Sequence, residues 1–501
     1  MIEWIHPSVF FFIAAILLFF VRGKAKQSIL LAAPALALVS LFGASEGHHG
    51  VVSFMGQQAV FGRVDKLSLI FGYVFVIITL IGMVYALHLK DEREHIAALL
   101  YAGSALGVTF AGDLFTLFIF WEIMAFSSVF LVWFKGDASS SAAGLRYLLV
   151  HIFGGLCLLG GIVIHASGGG GIAFSKLPQE GLGSALILVG FLLNAAVPPL
   201  HAWLADAYPE ATVTGMVFLS AFTTKVAIYT LVRGFPGMSI LVVLGTMMAV
   251  YGVVYAMLEN DIRRLLAYHM ISQLGYMVVG VGIGTDLALN GAVALALTNI
   301  FYKGLLIMGM SAVFFVTGKR KGSELGGLYR TMPKTFLLFM IGGFSISGAP
   351  LLAGFISKSI VLSAAAEKHE AWAFLFLTLA SAGTFLSTTL KLPYAVFLGE
   401  DKRIRANDPP KNMLLGMALA AAACVLLGVW PGLLYRLLPY PMEYHPYTME
   451  HVVGSLQMLS ATALGFVIFL KKFQSEDTIS LDLDWFYRKG TAAFLWLSKL
   501  L

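Results

Sequence analysis

The chain has 501 residues, of which 59% are hydrophobic and only 12% charged, and its mean hydropathy is +0.85. A soluble domain carries about 25% charged residues, so this composition excludes a water-soluble globular protein and predicts an all-α, polytopic membrane protein. The net charge of +6 is therefore no nucleic-acid footprint; what carries information is which loops hold the Lys and Arg.

In chain order, the apolar runs of helical length are 5–22, 28–44, 65–88, 95–111, 113–134, 142–165, 183–204, 212–232, 237–257, 262–283, 289–317, 334–366, 371–398, 412–430 and 450–470. This count predicts about 14–15 spans. The first run precedes its basic cluster, "RGKAK" (22–26), instead of following one, which reads as a retained span and not a cleaved signal. Two runs are interrupted: 183–204 at Pro198–Pro199, and 334–366 at "ISGAPLLAG" (346–354). Broken backbone at membrane depth is tolerated only inside protein or beside water, and a pair of such breaks points to a transport site. "GGGG" (168–171) has no Lys-Ser/Thr after it and reads as a linker. Cys157 and Cys424 lie in separate apolar runs and suit neither a disulfide framework nor a metal site.

"RGKAK" (22–26), "KDER" (90–93), Lys135, "DIRR" (261–264), "GKRKG" (318–322), "DKRIR" (401–405) and Lys471–Lys472 all follow odd-numbered runs. The other loops hold scattered basic residues only: Arg63, Lys66, Lys176, Arg233, Lys368 and Arg436. The positive-inside rule then predicts a multi-pass protein of the cell (inner) membrane, N-terminus outside and C-terminus cytoplasmic. The stretch "DTISLDLDWFYRKGTAAFLWLSKLL" (477–501) is too polar at its start to span and reads as an amphipathic helix on the cytoplasmic side or a partner-docking segment.

Charges inside the runs are the functional signal, because each costs about 2.5–3.5 kcal/mol at the bilayer centre on insertion scales. They are Glu122 in run 5, Lys225 in run 8, Lys303 in run 11 and Lys358 just beyond the second break, with Lys391 in "TLKLPY" of run 13 a weaker fifth. Each has a bland reading, a structural ion pair for Glu122 and snorkelling for the lysines. Asn299 precedes Lys303 by four residues and shares its helix face. A lysine that alternately gains and loses a carboxylate partner can bind and release a proton, because burial lowers its affinity for protons and the partner restores it.

"GDLFTLFIFWEIMAFSS" (112–128), "LHAWLADAY" (200–208), "TKVAIYTLVR" (224–233), "NDIRRLLAYHMISQLGYMVVGVG" (260–282) and "GAPLLAGFISKSIVL" (348–362) resemble the antiporter-like subunits of respiratory complex I and of Mrp-type cation/proton antiporters. The "GDLFTLFIFWE" and "TKVAIY" forms look most like the D-type component of the Mrp antiporters, and "DWFYRK" resembles the start of a lateral helix in the larger complex I component. The resemblance implies five segments: N-terminal spans (1–94), two inverted five-helix repeats forming half-channels (95–233 and 237–398), C-terminal spans (399–470) and the tail (471–501). It also implies proton-translocating roles for Glu122, Lys225, Lys303 and Lys358, on a polar path with Asn194, Asn299 and Lys391. Two positions depart from the pattern: Asn194 stands where the family usually has a lysine, and Asn299 where relatives often have histidine.

The expected function is a proton-conducting, antiporter-like subunit of a multisubunit membrane complex. It would couple proton movement to Na⁺ exchange or to redox chemistry in partner subunits of an NADH:quinone oxidoreductase-like or hydrogenase complex. No cofactor or metal is expected in this chain, since it offers no ligand set for iron–sulfur clusters, haem or flavin. Two rival readings stand beside it: a structural subunit whose degenerate channel is kept as scaffold, and a stand-alone secondary transporter.

Overall fold

The computed structural model describes residues 4–54, 57–473, 482, 485, 489 and 496. Almost everything described is helix. The first helices are α1 (Pro7–Leu17) and α2 (Lys24–Phe42), followed by a hairpin of β1 (Gly47–Phe54) and β2 (Gln57–Val64). Next come α3 (Lys66–Ala86), α4 (Glu92–Phe110), α5 (Leu114–Trp133) and α6 (Ala138–His165). The seventh span is α7 (Leu182–Asn194) plus the short α8 (Ala202–Ala207), and the eighth is α9 (Gly215–Ala221) plus α10 (Thr223–Gly234). Then follow α11 (Ile240–Leu258), α12 (Ile262–Ile283), α13 (Asp286–Thr317), the broken pair α14 (Pro333–Ile346) and α15 (Ala353–Glu367), and α16 (Ala371–Thr384). The last described helices are α17 (Lys411–Val429), the short α18 (Pro431–Leu437) and α19 (Met449–Ile468). Eleven of the described helical segments are long and apolar enough to cross a membrane, and α1, α7 and α14 are shorter apolar helices. The protein is an all-α, polytopic membrane protein with one small hairpin among the described residues.

Both expected breaks are present. After α7 the backbone turns through Ala196, at φ 54°, and a cis Pro198–Pro199 bond. Between α14 and α15 it turns through Gly348 and Leu351, at φ 77° and 69°. Side-chain donors add to the backbone hydrogen bonds beside each break, as a low-dielectric interior favours. Trp203 Nε1 donates to Leu193 O at 3.0 Å. Thr389 Oγ1 and Ser347 Oγ both donate to Gly343 O, at 2.6 and 2.8 Å. Two further irregularities carry no signal in the hydropathy pattern. The eighth span kinks at Phe222 (φ −106°, ψ −74°), and beyond α16 the thirteenth span loosens into π-type turns over Phe385–Lys391 and Tyr394–Leu398. The "GGGG" segment likewise begins in a π-type turn, Ala166–Gly170.

The core axis is α13, 32 residues long, packed against α3, α9, α10, α12, α14, α15 and α17. Its neighbour α12 has no exposed face, and only Arg264 on it is partly exposed. α11 and α12 approach until their backbones touch, with Gly245 facing Gly275, where a side chain on either would collide with the other's carbonyl. Small-residue contact of this kind drives helix association where lipid supplies no hydrophobic push. α19 is peripheral, with few buried residues.

Ion pairs join the basic loops at one end of the bundle. Lys26 Nζ reaches Lys90 O at 3.1 Å and Glu92 at 3.8 Å. Glu210 binds both Lys135 and Arg320, the latter at 2.8 Å, and Arg320 also grips Asp261. At the opposite end the hairpin seals the bundle: Val60 N donates to Asp113 Oδ2 at 2.7 Å, and Arg233 holds Asp65 through two hydrogen bonds of 2.8 and 2.9 Å.

Candidate functional site

Glu122 projects from the middle of α5 toward α6, where Gly155 leaves room for its carboxylate; a methyl group at 155 would overlap Oε1. Its residue is half-buried and its Oε1 is buried without a protein partner among the described residues. The neighbours Ile119, Ile123, Phe126 and Phe130 are exposed, so Glu122 lies near the bundle's periphery and not on its axis. One helical turn from Gly155 is the buried His151, whose Nδ1 lies 2.9 Å from Tyr147 O and whose ring meets Trp203 edge-on at 4.5 Å. Tyr147 OH shares a 2.8 Å hydrogen bond with Ser128. Asn194 closes α7, fully buried, with neither side-chain polar atom paired among the described residues.

Lys225 sits three residues past the Phe222 kink. The kink frees the Ser220 carbonyl, and Lys225 Nζ donates to it at 2.8 Å. Lys303 lies mid-way along α13, completely buried, and its Nζ has no protein partner among the described residues. α10 packs against α13, which brings both buried lysines into the same interior. Asn299, one turn before Lys303, donates to Tyr302 OH at 3.1 Å, which donates to Gln273 at 3.3 Å.

His269, one turn before Gln273 on α12, is fully buried and 2.8 Å from Ser387 in the π-type segment. Lys358 donates to Ser381 Oγ at 3.3 Å and lies 5.2 Å from the Tyr276 ring centroid. It also lines a crevice of about 420 Å³ between α15, α16 and α19. Lys391 is differently placed. Its Nζ donates to Met257 O at 2.5 Å and Glu259 O at 3.2 Å, capping the end of α11.

Glu122, Lys225, Lys303 and Lys358 thus occupy four separate spans. Lys225, Lys303 and Lys358 are buried in the bundle interior, whereas Glu122 stands apart at the rim against Gly155. The sequence reading missed His151, His269 and Gln273. The last two were visible as an i, i+4 pair in "AYHMISQLGYM", but a lone histidine in an apolar helix is ordinarily read as core. It also missed a cluster at the seventh-span break. There Asp482, from the tail, is buried between Tyr251, Tyr268 (2.5 Å) and His201 (3.4 Å). Apart from Asp482, Trp485, Lys489 and Trp496, the expected amphipathic tail helix lies outside the described residues. Among the described residues, no group of three or more His, Cys, Asp or Glu is arranged to hold a metal ion.

Residues 111–386, more than half of the chain and the stretch that holds all of these lysines except Lys391, match the family described as NADH:quinone oxidoreductase/Mrp antiporter, transmembrane. The chain belongs to that family. It is 28% identical over 455 residues to the D component of the Na⁺/H⁺ antiporter of Alkalihalophilus pseudofirmus, covering 83% of this chain and 92% of the relative. It is 27% identical over 461 residues to an uncharacterized protein of Methanocaldococcus jannaschii, covering 85% and 94%. Among solved structures, a chain of the archaeal membrane-bound sulfane sulfur reductase superposes with a TM-score of 0.84 at 23% identity, over 99% of this chain and 95% of that one. A chain of the Mrp complex from a Dietzia species superposes at 0.78 and 22% identity, over 92% and 98%. Thermus thermophilus respiratory complex I gives 0.73 and 23%, over 86% and 99%. The architecture is that of the antiporter-like membrane subunits of multisubunit complexes.

Proposed function

We propose that this protein is the proton-conducting subunit of a multisubunit antiporter or respiratory complex of the membrane, and that Lys225, Lys303 and Lys358 form its relay with Glu122 as a peripheral acid. The observation that carries this reading is the fully buried Lys303 amine, without a protein partner among the described residues, on a helix packed against those that carry Lys225 and Lys358. A lysine there has no structural purpose; leaving a charge unpaired at that depth costs several kcal/mol, at least ~2.5 by insertion scales. Reversible protonation and water give it one. Buried atoms on Asn194, Thr224, His269, Gln273 and Asn299 without partners among the described residues favour water threading the same interior.

The subunit moves protons as follows. A neutral Lys303 amine accepts a proton from Lys225 through water, and the two ammonium groups never need to coexist. The proton passes on toward Lys358 past His269, whose ring can donate or accept. Both broken helices supply reorientable carbonyls and hydroxyls, so each half-channel, 95–233 and 237–398, opens toward one membrane face. The gathered basic loops support the orientation with that end in the cytoplasm. The cation exchanged is Na⁺, by likeness to the antiporter relatives, and the partners are the other membrane subunits of such an assembly. With Asn194 in place of a lysine, the first half conducts through water and His151 rather than through an amine.

Lys303→Ala, Lys358→Ala and Glu122→Gln should each lower proton-coupled transport in membrane vesicles at least tenfold while the subunits still co-purify. Transport unchanged in all three would instead favour the scaffold reading.

A further inference from the structure

The crevice between α15, α16 and α19 lies among lipid-facing residues. Leu375 and Leu379 on α16, and Val453 and Leu456 on α19, are exposed on the helices that border it. Its mouth is at the end of the bundle opposite the basic loops, where α15 finishes and α16 and α19 begin. From Ala366 at the mouth to Phe355 at the floor, α15 covers about 16 Å. That is half of the ~30 Å hydrocarbon core, the depth reached by the acyl chains of one leaflet. The volume, about 420 Å³, is that of a pocket built for a ligand.

The lining is mostly apolar, with Phe355, Leu362, Phe374 and Met458 its largest hydrocarbon side chains. The hydroxyls between them are already engaged within the protein. Ser359 and Thr378 donate to carbonyls of their own helices, Ile356 O and Phe374 O, each at 2.8 Å. Ser455 Oγ donates to Gly348 O at 2.9 Å and Ser347 Oγ to Gly343 O at 2.8 Å. Ser363 shares a 2.9 Å hydrogen bond with Tyr444, and Lys358 turns its amine to Ser381 at 3.3 Å. A buried water needs about two to four polar partners, which walls so engaged supply poorly; a hydrocarbon chain needs none.

The mouth is different. Glu450 and His451 stand there, in the first turn of α19. Glu450 is exposed. The His451 ring stacks on Tyr444 at 5.9 Å, and its Nδ1 is buried with no partner among the described residues. A carboxylate beside an imidazole nitrogen that can donate complements a zwitterion, with an ammonium against the first and a phosphate against the second. We propose that the crevice binds one phospholipid with a primary-ammonium headgroup, a phosphatidylethanolamine, whose acyl chain fills the space down to Phe355 and whose headgroup rests on Glu450 and His451. A primary ammonium offers Glu450 three N–H donors, as a lysine does; a choline headgroup offers none, and a glycerol headgroup has no cation. The bound chain closes the lateral opening beside Lys358 and ties α19, the least buried of the candidate spans among the described residues, to the bundle. The site is independent of the relay reading.

The test uses the full chain in its complex, in vesicles that contain phosphatidylethanolamine with a photoactivatable group near the end of one acyl chain. Illumination, digestion and mass spectrometry should place adducts on the segments 355–366 and 450–458. Their yield should be severalfold higher than with choline or glycerol headgroups on the same chain. Gly454 lines the crevice with nothing within 4 Å of where a Cβ would stand. Gly454→Leu should therefore fill the space without displacing protein and lower the yield at least fivefold. Gly465→Leu, equally unobstructed on the same helix but away from the crevice, should leave it unchanged. Glu450→Gln, a change at the surface, should erase the preference for the ethanolamine headgroup while choline and glycerol lipids label as before. Equal labelling by all three headgroups in the parent chain, full labelling with Gly454→Leu, or adducts on a partner subunit in place of the crevice segments would each overturn the site.

Discussion

At the scale of single residues, hydrogen-bond partners separate two buried lysines that the sequence ranked without showing why they differ. Lys303 and Lys391 both interrupt apolar runs. Lys391 lies against the C-terminal carbonyls of α11, at 2.5 and 3.2 Å, where a cation satisfies unpaired acceptors and the helix dipole. Lys303 touches no acceptor among the described residues. Substitution by methionine should therefore move stability in opposite directions. Lys391→Met should cost about 1–2 kcal/mol, the worth of charge-assisted hydrogen bonds to carbonyls. Lys303→Met should be neutral or stabilising, because it removes a desolvated amine, yet abolish transport. Thermal unfolding in detergent, paired with a vesicle assay, reads both. The distinction was not legible in the sequence: "TLKLPY" and "NIFYKGLL" give no hint of which carbonyl ends come near.

At the scale of elements, the hairpin β1–β2 is the clearest thing pattern reading passed over. Its strands lie in a loop between two strong apolar runs, with Gly at 47, 50 and 62 blurring any alternation. Its value comes from contacts distant in sequence. Asp65, which caps α3 directly after the hairpin, is bound by Arg233 at the end of α10. Burial alone would raise the Asp65 carboxyl, but the Arg233 hydrogen bonds and charge, with the Ser68 amide and Arg63, outweigh it and hold the group down at about 2. The contribution to stability is complete above the ordinary carboxylate range and disappears as pH falls through that value. Wild-type thermal stability should drop between about pH 4 and pH 2, and Asp65→Asn should remove about 2 kcal/mol at neutral pH together with most of that acid sensitivity. An unaltered acid profile in the variant would count against this pairing.

At the scale of the whole molecule, the two halves are tied at the basic end by Arg320, which binds Asp261 ahead of α12 and Glu210 ahead of α9. The same guanidinium therefore spans elements assigned to both proposed half-channels. Arg320→Ala should destabilise the protein by about 1–2 kcal/mol, less than the ~3–5 of a fully buried pair because the side chain is a third exposed. It should also loosen protease protection of the 208–214 loop before the bundle melts, which limited proteolysis would detect. Protection identical to wild type would show the halves to be held by helix packing alone.

What the sequence determined by itself was the membrane class, the run of spans, the two broken helices and the four charged positions. Each of these follows from local chemistry. An apolar run long enough to cross lipid must be helix, the Pro-Pro and Gly-Ala-Pro sequences within two such runs favour a break there, and a charge at that depth is costly. What only the tertiary structure decided was company: which amine caps a helix and which stands unpaired, that Glu122 lies at the rim, that His151 and His269 join the interior, and that Asp482 reaches back to His201. Those outcomes depend on which helices meet at which height, and hydropathy along one chain carries no information about either. The kink at Phe222 belongs to the same class, for no proline or glycine marks it, whereas the π-type turns after α16 flank Pro393.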